Sequence, residues 1–304
     1  MMTPKVSIII LNWNGLADTI ECLESLSKID YPNYDVIVVD NNSYNDDVKI
    51  IREKFGGYVK SIIVNKSNLG FSGGNNVGIK LALENGAEVV LLLNNDTIVE
   101  PDFLNNLVEK SKSHPEVGIL TPLINYVSSK DVVWFAGGHI SKLRSSGFPD
   151  GICKHESKYS SDRFCNFASG CCMYVKKEVV EKIGFFDENF FLYLEDSDYS
   201  YRAYKAGFKI LYAASSKIYH KVSSTTSKNG ALLTLYYSTR NRLYFAKKNF
   251  GWYYYVFTVL FVITFFLKII SFKERKKALI ILTTAFKDMF LDNMGKSDIF
   301  DNHI

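Results

Sequence analysis

Short runs of apolar residues alternate with segments of helical periodicity over the first 120 residues. The apolar runs are rich in Val, Ile and Leu and cover residues 6–11, 36–39, 62–64, 89–93 and 117–120. Runs of this kind predict strands that are buried on both faces of a sheet. Between the first two runs, apolar side chains recur at helical spacing, at Leu16, Ile20, Leu23 and Leu26. Regular alternation of strand and helix predicts an α/β fold with a Rossmann-like, doubly wound and mostly parallel sheet.

The second half of the chain follows a different pattern. Residues 121–165 are irregular and glycine-containing, which predicts a hairpin or a flexible insertion where an acceptor would bind. Residues 249–267 contain no charged side chain, and a helix of that length would just cross a hydrocarbon core of roughly 30 Å. However, lysines and arginines flank this stretch on both sides, and residues 252–255 are aromatic. These features favour a helix lying in the membrane surface, with residues 278–291 as a second one; a single span, a core helix or a subunit contact are the alternatives.

Charge is distributed unevenly along the chain, which has a net charge of +4. Residues 1–237 carry 25 Lys and Arg against 27 Asp and Glu, a net of −2, whereas residues 238–304 carry 11 against 5, a net of +6. A basic tail on a nearly neutral body predicts contact with an anionic membrane through residues 249–291, and no nucleic-acid binding. We therefore expect a domain over 1–237, with a nucleotide-binding half at 1–120 and an acceptor half at 121–237, followed by a helical membrane-associating tail at 238–304.

The cysteines and the first residues of the chain indicate the cellular compartment of the protein. There are five cysteines, an odd number, and none are paired at CxxC spacing, so we expect reduced thiols rather than disulfides or a zinc site. The first residues lead directly into a predicted strand, with no secretory signal. The predicted location is the cytoplasmic face of the cell membrane, and a homodimer is left open.

Candidate chemistry lies beyond the carboxyl ends of the predicted strands, where ligands bind in sheets of this type. Asp40 ends the second strand, where it could accept hydrogen bonds from a ribose or a base; the alternative is a local turn. Asp96 ends the fourth strand, where it could hold a divalent cation; the alternative is the cap of a helix starting at residue 97. The glycine-rich segment 69–76 opens a helix but lacks both GxGxxG spacing and the lysine of a P-loop, which disfavours a dinucleotide dehydrogenase or an NTPase.

Three acids follow an aromatic run in the second half of the chain. Such carboxylates are costly to bury unless they bind, pair or catalyse. Asp196, next to Glu195, could act as a base toward a hydroxyl, with a helix cap as the alternative. Asp198 has helical spacing to Arg202 and is expected to form a structural ion pair. His220 is either a metal or phosphate ligand or a structural histidine with both ring nitrogens satisfied.

Taken together, these segments resemble the nucleotide-sugar-dependent glycosyltransferases of family 2, which have the GT-A fold. The matching motifs occur in the family's order and include VDNNS at 39–43, LGFSGGNNVGI at 69–79, LLLNND at 91–96, ASGCCM at 168–173, GFFDENFFLYLED at 184–196 and YYSTRNRLYF at 236–245. The resemblance covers roughly residues 5–245 and is greatest to the branch of rhamnosyltransferases that use dTDP-L-rhamnose.

The resemblance implies an inverting transfer of a sugar to a lipid-linked or polysaccharide acceptor in cell-surface glycan synthesis. The donor is a dTDP- or UDP-sugar, with dTDP-L-rhamnose as the best assignment. Asp196 is then the catalytic base with Glu195 beside it, and Asp96 and His220 hold Mg²⁺ or Mn²⁺. The donor-binding positions are expected to be Asn12, Asn14, Asp40, Asn42, Ser43, Asn68, Gly74, Asn75, Asn94 and Asn95.

The chain departs from the family pattern at one motif, and this departure leaves other functions open. Asn94 and Asn95 stand where the family's DxD motif has its earlier acid, so the cation would have one fewer anionic ligand. This favours, as an alternative, a non-catalytic membrane-associated subunit that keeps the fold and binds a partner. A nucleotidyltransferase shares the sheet architecture, but nothing here resembles its basic, glycine-rich starting motif.

Overall fold

The computed structural model describes residues 3–222, 230–269 and 274–300. The strands are β1 (Val6–Asn12), β2 (Tyr34–Asp40), β3 (Ser61–Val64), β4 (Val89–Asn94), β5 (Thr97–Val99), β6 (Val117–Tyr126), β7 (Ser129–Phe135), β8 (Gly138–Ser141), β9 (Ser146–Pro149), β10 (Arg163–Cys165), β11 (Cys172–Lys176) and β12 (Lys209–His220). The helices are α1 (Leu16–Leu26), α2 (Asp47–Phe55), α3 (Gly70–Glu84), α4 (Phe103–Ser113), α5 (Lys177–Ile183), α6 (Glu195–Lys205), α7 (Gly230–Asn249), α8 (Tyr253–Ile269) and α9 (Arg275–Phe290).

One mixed sheet organises the chain, in the order β10-β12-β6-β11-β4-β1-β2-β3. Strands β4, β1, β2 and β3 are parallel to one another, as the alternating sequence pattern predicts. Strand β11 is inserted antiparallel between β4 and β6, so the other half of the sheet is mixed. The expected α/β architecture with a mostly parallel sheet is therefore confirmed, and the carboxyl ends of β1, β2 and β4 form one edge.

The core has two layers because successive side chains of a strand point to opposite faces of the sheet. Within β1, Ile8 and Ile10 pack in the cluster that includes α1 and α4, whereas Ile9 packs with Ile79 of α3. All three isoleucines are fully buried. Helices on both faces explain why these strands read as continuous apolar runs rather than as an alternating pattern.

The irregular region 121–165 is built mainly from two β pairings. Strand β7 turns back antiparallel on β6, and β8 and β9 form a separate two-stranded hairpin. The prediction of a hairpin or insertion here is confirmed for β8–β9, while β6 and β7 belong to the main sheet. The five cysteines are free, as expected.

Helix α7 packs against the body of the chain and against α9. The ring of Tyr237 stacks on Phe191, with centroids 5.4 Å apart, and Arg240 is fully buried. The predicted domain boundary at residue 237 falls inside α7. None of the helices in the described ranges is both long and apolar enough to cross a membrane. Residues 270–273 of the expected membrane-contact segment lie outside the described residues.

Candidate active site

The ends of β1 and β2 are joined by a hydrogen-bond network around Asp40. The buried side chain of Asn12 donates through Nδ2 to Asp40 Oδ1 at 2.8 Å and to Asp47 at 3.1 Å. The backbone N–H of Ser43 donates to Asp40 Oδ2 at 2.9 Å, which is the contact expected for a local turn. Ser43 Oγ also accepts the backbone N–H of Asn14 at 2.9 Å. These bonds fix the shape of the edge; the roles of these residues in binding a donor stay predictions.

Asn41 is a residue that the sequence reasoning missed. Its buried amide donates to Asn68 Oδ1 at 2.9 Å and to the carbonyl of Gly70 at 3.0 Å, and it accepts the side-chain amide of Asn65 at 3.0 Å. Asn41 therefore joins the end of β2 to the start of α3. Its neighbour Asn42 is exposed and has a positive φ of 67°. The signal was present in the sequence, since both asparagines belong to the motif at 39–43.

The glycine-rich segment forms the first two turns of α3. A Cβ at Gly74 would lie 2.4 Å from Leu11 Cδ1, so this glycine allows the helix to approach β1 closely. Asn75 is buried and donates to the carbonyl of Phe71 within the helix. The structure gives both residues a packing role, and their assignment to nucleotide binding stays a prediction.

Asp96 and His220 meet at the end of the fourth strand. Asp96 lies in the turn between β4 and β5, and its Oδ2 is 3.1 Å from Nε2 of His220, the last residue of β12. The backbone N–H of Lys221 donates to the carbonyl of Asp96 at 2.9 Å, which fixes the turn. The alternative in which Asp96 caps a helix is wrong, because the next residues form β5 and α4 begins only at Phe103.

The chemistry of this pair fits a divalent cation. His220 is 8% exposed, and its Nδ1 is buried with no hydrogen-bond partner in the described part of the chain, so the alternative of a satisfied structural histidine is not supported. Carboxylate oxygen and imidazole nitrogen are both ligands of Mn²⁺, and carboxylate oxygen suits Mg²⁺. No group of three His, Cys, Asp or Glu that could hold a metal occurs among the described residues. Asp96 and His220 by themselves would supply two ligands to such an ion.

Asn94 and Asn95, the residues before Asp96, each form a hydrogen bond to another part of the chain. The backbone N–H of Asn94 donates to the carbonyl of Cys171 at 2.9 Å. Asn95 Nδ2 donates to Thr19 Oγ1 at 2.9 Å, which ties the turn to α1. Both residues are partly exposed at the edge of the sheet. Neither supplies the negative charge of the family's earlier acid.

Glu195 and Asp196 begin α6 immediately after a tight turn. Tyr193 and Leu194 have positive φ values of 68° and 71°, which bulky side chains rarely adopt. Asn241 of α7 stabilises this turn by donating to the carbonyls of Leu192 and Tyr193, both at 2.9 Å. The turn thereby places two adjacent carboxyl groups at the start of one helix.

The two carboxyl groups have different surroundings. Glu195 is 6% exposed and its Oε2 has no hydrogen-bond partner in the described ranges, so burial, aided by the charge of Asp196, raises the pKa of Glu195 well above its ordinary range. Asp196 is less buried, and its oxygens accept the backbone N–H groups of Ser197 at 2.7 Å and Gly170 at 3.1 Å. Desolvation by the surrounding protein raises the pKa of Asp196 despite these bonds. A carboxylate with a raised pKa is suited to act as a general base.

Two consecutive residues, Gly170 and Cys171, are bonded to Asp196 and to the end of the strand that precedes Asp96. Gly170 donates its N–H to Asp196 Oδ2, and the carbonyl of Cys171 accepts the N–H of Asn94, two residues before Asp96. The adjoining strands β11 and β4 are paired directly, with Cys172 opposite Leu93. The predicted base and the strand that leads to the predicted cation site are thus both bonded to a single short segment.

The third acid of the group has the structural role expected from its spacing. Asp198 is fully buried and pairs with Arg202 Nε at 2.7 Å and with Lys248 Nζ of α7 at 3.0 Å. This network ties α6 to α7, and it leaves Glu195 and Asp196 as the acids available for chemistry.

Comparison with known proteins identifies the family. A family model described as glycosyltransferase like family 2 matches residues 4–246 of this chain. The chain belongs to this family. Its GT-A fold is that of a mannosyltransferase from Pyrobaculum calidifontis, solved in complex with GDP-Man and Mn²⁺, with a TM-score of 0.57 and 14% identity over 96% of this chain and 88% of that one.

Several glycosyltransferases are related in sequence. The chain is 28% identical over 210 residues to the low-salt glycan biosynthesis hexosyltransferase Agl10 of Haloferax volcanii, covering 69% of this chain and 64% of the relative. It is 25% identical over 173 residues to the N-acetylglucosaminyl-diphospho-decaprenol L-rhamnosyltransferase of Mycobacterium tuberculosis, covering 54% and 56%. It is 22% identical over 261 residues to the dTDP-rhamnosyl transferase RfbF of Shigella flexneri, covering 82% of each. The chain thus spans about three fifths of the length of the first two relatives.

Proposed function

We propose that the chain is an inverting glycosyltransferase that transfers L-rhamnose from dTDP-L-rhamnose to a lipid-linked or polysaccharide acceptor in cell-surface glycan synthesis. The observation that carries the proposal is that the segment Gly170–Cys171 bonds to Asp196 on one side and to Asn94, two residues before the Asp96 of the Asp96–His220 pair, on the other. The names of the two rhamnosyltransferase relatives support the choice of sugar, and one of those names supports a diphospho-lipid acceptor.

Asp196 acts as the base in this reaction. As the acceptor hydroxyl attacks the anomeric carbon, its proton passes to the Asp196 carboxylate, and the bond between sugar and phosphate breaks on the opposite face. One displacement inverts the anomeric centre and requires no covalent enzyme intermediate. The N–H groups of Gly170 and Ser197 hold the carboxylate oxygens in a fixed orientation during the transfer.

Asp96 and His220 would hold the divalent cation, Mg²⁺ or Mn²⁺. Such an ion, when bound, offsets the negative charge that develops on the departing nucleoside diphosphate. Asn94 and Asn95 contribute neutral amide groups beside it. Asn12, Asn14, Asp40, Asn42, Ser43 and Asn68 lie along the neighbouring strand ends, where the nucleoside of the donor would bind.

We also propose that α8 and α9 bring the protein to the cytoplasmic face of a membrane. The exposed side chains on these helices include Tyr255 at 71%, Val259 at 61%, Ile280 at 60% and Phe290 at 57% exposure, and Trp252, directly before α8, is 76% exposed. Aromatic rings of this kind sit at the headgroup level of a bilayer, and nearby basic residues favour anionic lipid. In flotation with vesicles containing phosphatidylglycerol, the chain should rise with the lipid, whereas Trp252→Ser/Tyr255→Ser should remain largely in solution; equal flotation of both would contradict this assignment.

The decisive experiment is a panel of nucleotide-sugars with and without Mg²⁺ or Mn²⁺. Thermal shift and sugar transfer to a diphospho-lipid acceptor are measured for each donor, and dTDP-L-rhamnose should give both signals in a metal-dependent way. Metal-dependent transfer from another nucleotide-sugar alone would retain the transferase assignment and overturn the choice of rhamnose.

A second function is favoured by one observation, the absence of an acid at Asn94 and Asn95. In that case the protein is a membrane-associated subunit that binds a nucleotide-sugar without turning it over. Stabilisation by nucleoside diphosphate without transfer to any acceptor, in a preparation that binds lipid normally, would favour this function.

A further inference from the structure

Arg242 of α7 has a cationic side chain with no matching carboxylate among the described residues. Within the described ranges, its buried Nε has no hydrogen-bond partner, and its guanidinium group forms no ion pair with an Asp or Glu. Arg242 as a whole is half-buried, and because buried polar groups are normally paired, its unpartnered Nε needs a physical reason. By contrast, the adjacent Arg240 and Asn241 both form hydrogen bonds within the protein: Arg240 Nε donates to Asn241 Oδ1, and Asn241 Nδ2 donates to the carbonyl of Leu192.

A second arginine approaches from the β8–β9 hairpin. Arg144 lies at the tip of this hairpin, where its guanidinium packs over the ring of Phe148 at 4.5 Å. The next residue, Ser145, is buried with a positive φ of 48°, and its hydroxyl donates to the backbone carbonyl of Arg242 at 3.2 Å. This contact fixes the hairpin tip on α7 beside Arg242. Arg144 is exposed and forms no ion pair with a carboxylate in the part of the chain that the structure describes.

The contact of Ser145 with the carbonyl of Arg242 brings the hairpin tip that carries Arg144 to the turn of α7 that carries Arg242. Burial, together with the like charge of Arg144, lowers the pKa of Arg242. Two neighbouring guanidinium groups without a carboxylate repel each other unless an anion lies between them. Planar guanidinium groups bind phosphate oxygens through paired hydrogen bonds, which makes a phosphate group the anion that suits them best.

The same hairpin also contacts the candidate active site. The backbone N–H of Gly147 donates to Ser197 Oγ at 3.0 Å, and Ser197 directly follows the proposed base. The Asp196 carboxylate therefore accepts from Gly170, on the side of the cation site, and from Ser197, on the side of the hairpin. An anion held by the arginines would thus lie beside the hairpin that also contacts the residue after the proposed base.

We propose that Arg144 and Arg242 form a binding site for a diphosphate ester, the diphosphate that joins lipid and sugar in the acceptor. The assignment to the acceptor rests on the proposed function. The diphosphate of the donor has the same chemistry, and the experiments distinguish the two sources. The site would position the acceptor so that its sugar hydroxyl reaches Asp196.

Direct binding tests the site without requiring turnover. Isothermal titration of the full chain with farnesyl diphosphate, and with farnesol as the uncharged counterpart, is compared for wild type, Arg144→Gln, Arg242→Gln and Arg242→Lys. We expect each Gln variant to bind farnesyl diphosphate about tenfold or more weakly, with Lys at position 242 restoring part of the loss. Arg52→Gln, the same change at an exposed position on α2, is the matched control. Equal binding by all variants would overturn the site, and because Arg144 is exposed, its variant is expected to fold.

Kinetics then identify the source of the diphosphate. The acceptors are a sugar-diphospho-farnesyl compound and the same sugar on an alkyl chain without phosphate. For the Gln variants, the preference in kcat/KM for the charged acceptor over the uncharged one should fall at least about tenfold. A rise in donor KM with an unchanged acceptor preference would overturn the acceptor assignment. If neither the wild type nor any variant transfers sugar, but the Gln variants still bind farnesyl diphosphate more weakly than the wild type, the proposed function fails and the arginine site stands.

Discussion

Replacing Glu195 by Gln is expected to stabilise the protein by an amount that grows with pH. The Glu195 carboxyl is buried with an unpartnered oxygen, and burial raises its pKa well above the ordinary value of 4.5. The folded chain therefore binds a proton more tightly than the unfolded chain. Between the ordinary pKa and the raised pKa the folded state holds the extra proton, so the stability of the wild type falls as the pH rises through this window.

The size of the difference in free energy of unfolding follows from the one extra proton that the folded wild type binds. A difference of one bound proton changes the free energy of unfolding by about 1.4 kcal/mol per pH unit. Two pH units within the window would therefore separate the variant from the wild type by up to about 2.7 kcal/mol. At roughly 2–4 °C per kcal/mol for a large domain, this corresponds to a difference in Tm of roughly 5–10 °C. Because Glu195 and Asp196 titrate together, the raised pKa at the upper end of this pH window describes the pair of carboxyl groups and not Glu195 alone.

Urea unfolding at several pH values from 5 to 8, each followed by far-UV circular dichroism, measures the effect. The difference in free energy of unfolding between Glu195→Gln and wild type should widen as the pH rises. Glu53→Gln, the same chemical change on an exposed side chain of α2, controls for the loss of one acid. Parallel stability profiles for Glu195→Gln and wild type over the whole range would refute the reasoning.

Three further outcomes follow from individual contacts. Asn241→Leu should lower kcat about tenfold or more at unchanged helical content, since two carbonyls of the turn before Glu195 would lose their donor; unchanged kcat would argue against a positioning role. Gly74→Ala should lower stability by about 1–3 kcal/mol in thermal unfolding, because its Cβ would meet Leu11, whereas Gly57→Ala has nothing within 4 Å and should not. His220→Ala should weaken the Mn²⁺-dependent part of nucleotide thermal stabilisation while leaving the metal-independent part in place; equal metal dependence would remove His220 from the site.

The sequence predicted the sheet well because buried parallel strands have a strong local signal. The runs at 6–11 and 89–93 correspond to β1 and β4 within one residue at each end. The rule that ligands bind beyond strand ends then singled out Asp40 and Asp96 as candidates, and the structure places Asp40 at the end of β2 and Asp96 two residues after β4. The helix alternative for Asp96 failed because β5 pairs with β12, a contact between distant parts of the chain.

The rest of the site depends on long-range contacts that no local pattern carries. Asp96 and His220 are 124 residues apart and meet only because β12 extends along the sheet to β5. The positive φ values of Tyr193 and Leu194 oppose the local preference of both residues, and contacts with α7 stabilise them. Asn41 lay within a recognised motif, but its hydrogen bonds to the start of α3 became evident only in the fold.

The most direct measurement of the central claim is the transfer rate of Asp196→Asn together with its affinity for the donor. The substitution keeps the size of the side chain and removes the base, so kcat should fall at least about 100-fold while the Kd of the nucleotide-sugar changes little. A variant that folds, binds the donor and transfers sugar at nearly the wild-type rate would contradict the account.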